Sequence, residues 1–456
     1  MPNETPSQAA SEQQTLDMLS DLIGKARKAG ADAADAVFIN GISLSHAQRL
    51  GKIEKLERSE GNDLGLRVLI GKQQAIVSSS DVSAKALDEL VERAVAMARA
   101  VPDDAFCGLA DSDQVFTGPI ADLEICDTVE PAPETLIERA SAVEDAARAI
   151  DGITNSEGAE ASWGQTQIAL VASNGFSGGY RISRQSIGCA VLAGEGTAME
   201  RDYEFSSAVF SEDLDDPAEV GRKAGERTVR RLNPRKVGTQ KVPVVFDPRV
   251  SNSLLRHLAG AINGTAIARG TSFLKDSMNQ QILPSGISVI DDPHRRRGPA
   301  SKPFDAEGIA NDKIAFVEDG VLKSWVLDLR SARQLSLETT GRASRGTSGP
   351  PSPSTTNLYL PAGETSRDDL IRGIDSGLYV NELMGFGVNA VTGDYSRGAA
   401  GFWIEKGELA FPVSEITIAG NLKDMFLNLV PADDLDFRYS INAPTVRIDG
   451  MTIAGN

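Results

Sequence analysis

Apolar residues near the start of the chain change their period twice. Leu16, Leu19, Leu22, Ile23 and Ala26 return every three or four positions, the stripe of one amphipathic helix, and Gly30 stands where its C-terminal cap belongs. From Val37 the period shortens to two. Val37–Asn40, Ser43–Leu56 and Leu64–Ser78 read as strands, with Ile42, Leu44, His46 and Gln48 alternating and a turn at Gly71-Lys72. Helical spacing then resumes at Leu87, Leu90, Val91, Ala94 and Val95, with Ser80 and Asp81 as capping candidates. The same order recurs downstream: a helix over 134–150, strands over Thr166–Ala172, Gly179–Ser186 and Ile187–Ala193, and a basic-ended helix over 218–232. Helix, antiparallel strands, helix, met twice, predicts an α+β layer architecture in place of a parallel doubly wound sheet. The two passes share no sequence repeat.

The segment from Asn233-Pro234 to Gly238 follows a charged helix end and is the expected domain boundary. Beyond it VPVVFD reads as a buried strand, residues 248–263 as a helix, and most of the rest as short strands punctuated by glycine. The expected organisation is a disordered tail over 1–14, an N-terminal α+β domain over 15–237, and a C-terminal domain over 238–456 dominated by a curved antiparallel β-sheet with a few helices. Gly341–Pro353 (GRASRGTSGPPSP) is too rich in Gly, Ser and Pro for regular structure, and reads as either a mobile surface excursion or a functional loop.

Composition narrows the function classes. The chain has 456 residues with Lys+Arg 46 against Asp+Glu 64, a formal charge of −18. That balance argues against a broad phosphate-binding surface, which needs clustered cations. The polar N-terminus lacks the basic start and apolar core of a signal peptide, and no run reaches the ~18 apolar residues of a membrane span. A cytoplasmic protein with no membrane or nucleic-acid partner is expected. Cys107, Cys126 and Cys189 are widely spaced with no CxxC, so neither a disulfide framework nor a cysteine zinc site is indicated. His46, His257 and His294 are too far apart for a helical ligand pair. His46 falls on an alternating strand and reads as a hydrogen-bonded sheet residue. Acidic pairs such as Asp215-Asp216 and Asp291-Asp292 lack calcium-loop spacing and read as solvated loops or helix starts.

Two further motifs are weighed on context. Gly385–Ala390 matches G-x-G-x-x-A in letters, but turns and a hairpin follow it where a dinucleotide site needs a helix. The basic cluster His294-Arg295-Arg296-Arg297 reads as a solvated turn or as a site for an anion or a substrate C-terminus.

Several longer phrases are more specific. GNDLGLRVLIGKQQAIVSSSDVSAKALDELVERAV, SNGFSGGYRISRQS, PSPSTTNLYLPAGE and VTGDYSRGAAGFWIEKGELAFPVSEITIAGNLKDM resemble the TldD/PmbA family, over nearly the whole chain from about residue 15, and within it the PmbA (TldE) branch. The resemblance implies a two-subunit peptidase in which a TldD-like subunit binds zinc through a helical HExxxH motif and a late cysteine. Placed against that segment, the motif falls on Leu255–Gly260, and its ligand and base positions are Leu255, Arg256 and Gly260. None can serve, His257 is out of register, and DLDFRYSINAPTVRIDG has no cysteine. The expectation is a chain without catalytic or metal-binding residues, with zinc in its TldD-like partner and peptides or unfolded proteins as substrates. In such a subunit Thr356, Asn357 and Tyr359, after the flexible loop, are expected to present a strand edge to an extended peptide, and Arg345 to attract acidic substrate side chains. Two other readings stay open: an adaptor of the kind the branch's older gyrase-modulator label suggests, and a free-standing homodimeric peptidase with an unrecognised site.

Overall fold

The structure, a computed structural model, describes residues 6–455. Helix α1 spans Pro6–Lys28. The expected disordered tail over 1–14 is therefore corrected from Pro6 onward: Ala, Gln and Glu in PSQAASEQQ favour helix, and proline is tolerated in a first turn whose N–H has no partner. The remainder of that stretch, 1–5, lies outside the described residues.

Strands β1 (Ala33–Arg49), β2 (Lys52–Ile70), β3 (Gln73–Ser79), β4 (Ile153–Ala172), β5 (Ser177–Ala193) and β6 (Glu200–Ala208) form one six-stranded antiparallel sheet in the order β3-β2-β1-β4-β5-β6. The two helix–strand–helix passes of the sequence are thus halves of a single sheet, joined by the β1–β4 pairing from Asp35↔Ala172 to Gln48↔Ala159. Ser43–Leu56, read as one strand, is in fact a hairpin. Leu50 and Gly51 both adopt left-handed backbone, which turns the chain between β1 and β2.

Such long strands need two helix layers on one face. Ala34, Ala36, Phe38, Leu64, Leu66 and Val68 pack under α1 and α2 (Ala84–Ala98). Further along the same strands, Leu44, Ala159, Ala161 and Trp163 pack under α3 (Pro133–Arg148) and α4 (Pro217–Arg230). Ser83 caps α2, accepting from Ala86 N at 3.4 Å, where Ser80 and Asp81 were expected. Beyond Leu44 on β1, His46 is fully buried, its Nε2 3.3 Å from Gln48 Oε1, a sheet residue as its alternation suggested.

Past Asn233 a second sheet begins. β7 (Gln240–Phe246) is followed by α5 (Pro248–Ala261) and the short strands β8 (Val289–Asp291), β9 (Ile314–Glu318) and β10 (Val321–Leu322). Then come β11 (Ala343–Ser344), β12 (Ser352–Pro353), β13 (Leu358–Tyr359), β14 (Ser376–Met384), β15 (Asp394–Glu405), β16 (Glu408–Asn421), β17 (Leu429–Pro431), β18 (Ile441–Asn442) and β19 (Val446–Ala454). Six of these strands pair in the order β16-β15-β14-β7-β19-β17, with β16 also meeting β19, so the sheet curls towards closure. β7 and β14 run parallel and the other pairs antiparallel. The fold class is α+β, with a smaller sheet, β10-β9-β8-β13-β18, beside the large one.

The Gly/Ser/Pro-rich loop is not a mobile excursion. β11 and β12 pair within it, Arg342 is fully buried, and the Arg345 side chain is 1% exposed. Its charges explain the burial. Arg345 pairs with Asp35 on β1, which also accepts from Arg67 Nε on β2 at 2.7 Å. Thr347 Oγ1 reaches Asp63, and the Thr347 backbone lies so close to Gly65 that any Cβ there would collide with it. Burial alone would raise the Asp35 pKa, but Arg345 and Arg67 outweigh it and hold the carboxyl below its ordinary value. Asp35 therefore stabilises the fold above the ordinary carboxylate range, and this contribution is lost as pH falls through its lowered pKa. Asp35→Asn should cost about 3–5 kcal/mol at neutral pH by leaving two buried guanidiniums unpaired. Urea unfolding should show that gap narrowing below roughly pH 4.

Candidate functional site

Helix α5 lies across the large sheet. Asp247 caps it, accepting from Arg249 N at 2.9 Å and from the Tyr379 hydroxyl at 2.6 Å, and Pro248 opens the first turn. Leu254, Leu255, Leu258 and Ala261 are buried in the main core. Of the positions that the resemblance singles out, Leu255 is 3% exposed in that core, and Arg256 and Gly260 face solvent. Leucine and glycine side chains carry no donor atom and a guanidinium repels a cation, so zinc does not fit this helix. Among the described residues no group of three or more His, Cys, Asp or Glu is gathered closely enough to hold a metal ion.

His257 faces the sheet instead. Its ring meets Tyr395 edge-on at 5.9 Å, and its Nε2 is buried without a hydrogen-bond partner. Burial and then the Arg397 charge push its pKa below the usual histidine value, which keeps the imidazole neutral at pH 7.

One turn before His257, Asn252 and Ser253 line a cleft of about 270 Å³ between α5, β14, β15 and the N-terminal sheet. Its wall towards β6 is a network of charges. Arg249 donates to Asp202 Oδ1 at 2.8 Å and lies over the Tyr203 ring at 4.3 Å. Arg231 approaches Asp202 Oδ2 and Glu200 at 3.5 Å each and pairs with Glu382. Burial would raise the Asp202 pKa, but Arg249, the Tyr203 amide and Arg231 bring it below the ordinary value. The opposite wall is unsatisfied. Arg397 Nε and Asn381 Oδ1 are buried without partners, as is the hydroxyl of Tyr395 two residues along the strand. The cleft thus has a cationic donor and an amide acceptor in its lining, groups that can bind a peptide's main chain or carboxylate.

The residues singled out from sequence are placed elsewhere. Arg345 is engaged by Asp35, so its charge is not available to an acidic substrate, a correction that follows from the loop's burial. The strand edge expected at Thr356–Leu360 is corrected as well. β13 is an interior strand, with Leu358 paired to Asp291 on one side and Ile441 on the other, so its main chain is already satisfied. Thr356 donates through its amide and hydroxyl to Asp291 at 2.7 and 2.8 Å, and Asn357 holds Ser301 and the Asp292 carbonyl at 2.8 Å. Tyr359 stacks edge-on against Phe437 at 5.2 Å. Thr356 lines a cleft of about 390 Å³ shared with Tyr180, Lys302 and Ser344. The basic cluster is neutralised within the chain: Arg296 and Arg297 pair with Glu124, and Arg295 lies 3.4 Å from the Phe437 ring centre.

Asp202, Arg231, Arg249 and Arg397 were missed because they are scattered over nearly two hundred positions. One signal was present: Tyr395, Arg397 and Ala399 alternate on β15, so Arg397 is a charge on an otherwise apolar face. Arg397→Met should raise the His257 pKa towards its ordinary value by removing the neighbouring charge. An NMR titration of the imidazole measures this, and an unchanged midpoint would separate the two residues.

The comparisons with known proteins cover this whole region. Models described as PmbA/TldA metallopeptidase domain 1, central domain and C-terminal domain match residues 34–98, 127–232 and 239–455. The chain is similar to Metalloprotease PmbA of Escherichia coli O157:H7, 38% identical over 93% of each chain. It is equally similar to a Metalloprotease PmbA homolog of Haemophilus influenzae, at 38% over 100% of this chain and 99% of that one. A solved structure from Bacteroides thetaiotaomicron bearing a DNA gyrase modulator label superposes with TM-score 0.89 at 27% identity, covering 99% of this chain and 100% of that one. TldE from Thermococcus kodakarensis shares the fold with TM-score 0.86 at 20% identity, covering 96% and 100%. The chain belongs to the PmbA/TldD metallopeptidase family.

Proposed function

We propose that this chain is the metal-free subunit of a two-chain cytoplasmic peptidase whose zinc resides in a TldD-like partner. The observation that carries the reading is on α5. The helix keeps its cap and its apolar stripe, while the three positions where the metal-binding relatives of the resemblance keep donors hold Leu255, Arg256 and Gly260. Selection for a zinc site in this chain would not leave a buried leucine and an exposed glycine there. The chain's own contribution is positioning. The cleft beside α5 presents Arg397 and Asn381 to a peptide.

Purified alone, the chain should contain far less than one zinc per molecule by elemental analysis and cleave no peptide. Adding a relative that carries HExxxH should produce chelator-sensitive cleavage. His257→Ala should leave that combined activity within about twofold, since a histidine acting through packing alone carries no part of the bond-breaking step. One zinc per chain, with activity in the isolated protein, would favour the free-standing peptidase. A chain that neither pairs with such a relative nor supports cleavage would favour the adaptor suggested by the gyrase-modulator label.

A further inference from the structure

The N-terminal sheet ends in an edge that is open over part of its length. β3 pairs with β2 only from Leu64 to Ile70, whereas β1 pairs with β2 from Lys52 onward. Among the described residues, no backbone hydrogen bond from any segment other than β1 reaches Lys52–Asn62, and every residue of that stretch is exposed. Such an edge presents a row of unused amides and carbonyls, a template for another strand. Apolar side chains collect beside it: Leu50, Ile53 and Leu56 are 44%, 59% and 49% exposed. Val129 is 68% exposed next to Glu130, which holds Arg58 Nε at 2.8 Å.

The charges along this edge, KIEKLERSE from Lys52 to Glu60, read as their own complement in reverse. Folded about Leu56, Lys55 opposes Glu57, Glu54 opposes Arg58 and Lys52 opposes Glu60, while Leu56 opposes itself. Neighbouring registers fail. A centre at Lys55 sets Lys52 against Arg58, and a centre at Glu57 sets Glu54 against Glu60. The half-step registers set Glu54 against Glu57, or Lys55 against Arg58. An edge blunted only by charge, a common defence against aggregation, would have no such preference. In the single chain Lys55 reaches its own neighbour Glu57 at 2.9 Å, so both charges are already extended along the strand and accessible for exchange across it.

We propose that Lys52–Asn62 is a self-recognition edge, by which two copies of this chain pair as antiparallel strands about a two-fold axis at Leu56 and extend the two N-terminal sheets into one. A closed isologous contact follows, because directly opposed residues of an antiparallel pair share a face and each cross-strand pair occurs twice. Lys55 and Glu57 flank Leu56 and control the register. Glu54 lies at the bulge facing β1, where the edge turns away, so the regular part of the contact starts at Lys55. The inference does not depend on the proposed peptidase role. It concerns the full chain in the absence of any metal-bearing relative.

Sedimentation velocity on the purified full chain tests it, with circular dichroism confirming that each variant is folded. The wild type should be dimeric at micromolar concentration. Glu57→Lys, which sets lysine against lysine twice, should weaken association at least roughly tenfold. The double variant Lys55→Glu/Glu57→Lys, which exchanges the signs, should restore it. A wild type that stays monomeric would overturn the proposal, as would a dimer that Glu57→Lys does not weaken or a double variant that is not restored.

Discussion

The position of the C-terminal half depends on two buried carboxylates, each shared by side chains from different parts of the chain. Asp35, on β1, is held by Arg67 from the neighbouring strand and by Arg345 from a loop more than three hundred residues away. Asp291, on β8, is held by Arg342 at 2.5 Å and by Thr356, and both members of the Asp291–Arg342 pair are fully buried. Neither carboxylate would tolerate such burial unpaired, since desolvating a charge costs more than most single contacts return. Arg342 and Arg345 are three residues apart, so one short segment is bound to both sheets. That constraint turns a Gly/Ser/Pro-rich sequence into fixed structure.

Around this tie the halves meet in a graded way. Phe304 inserts against Phe176 and Tyr180 on the N-terminal sheet, at ring distances of 4.9 and 5.4 Å, and covers the sheet face that the helices leave bare. Arg330 and Arg333 of the helix Leu329–Leu335 hold Asp104 and the Leu109 carbonyl at 2.7 and 2.6 Å. At the far end of the same sheet, Asp202 draws Arg231 and Arg249 together and closes one wall of the cleft beside α5. Apolar packing sets the seam near Phe304 and ion pairing sets it near the cleft. The cleft is therefore the part of the seam where groups remain polar and partly accessible, as a binding site requires.

Much of the layer order was legible because it rests on local periodicity. The stripes of α1, α2, α3 and α4 and the alternation along β1 are properties of neighbouring residues, and all reappear in the core. What was not legible depends on contacts between distant residues. Nothing near Glu144 announces that this fully buried carboxylate accepts from Ser156, Gln48 and the amides of Leu50 and Gly51, and so fixes the turn that divides Ser43–Leu56. Composition was misleading at Gly341–Pro353, where loop residues are ordered by two arginines. The resemblance located α5 but could not show that β13, beside two other strands, has no edge to offer.

Helix α5 shows how packing and chemistry can be separated within one element. Its apolar stripe, Leu254, Leu255, Leu258 and Ala261, joins the main core and is maintained by cavity costs that act on every copy of the fold. Its outer positions, Arg256 and Gly260, carry no such constraint and are free to change. Leu255 belongs to the stripe, so a metal donor there would have to surrender core burial to bind, whereas leucine extends the packing without loss. The Nε2 of His257, whose ring meets Tyr395 of the sheet, and the Nε of Arg397 on β15 are each buried without a hydrogen-bond partner. On physical grounds the helix is a wall of the main core, and its first turns also line the cleft that Asp202, Arg231, Arg249 and Arg397 surround.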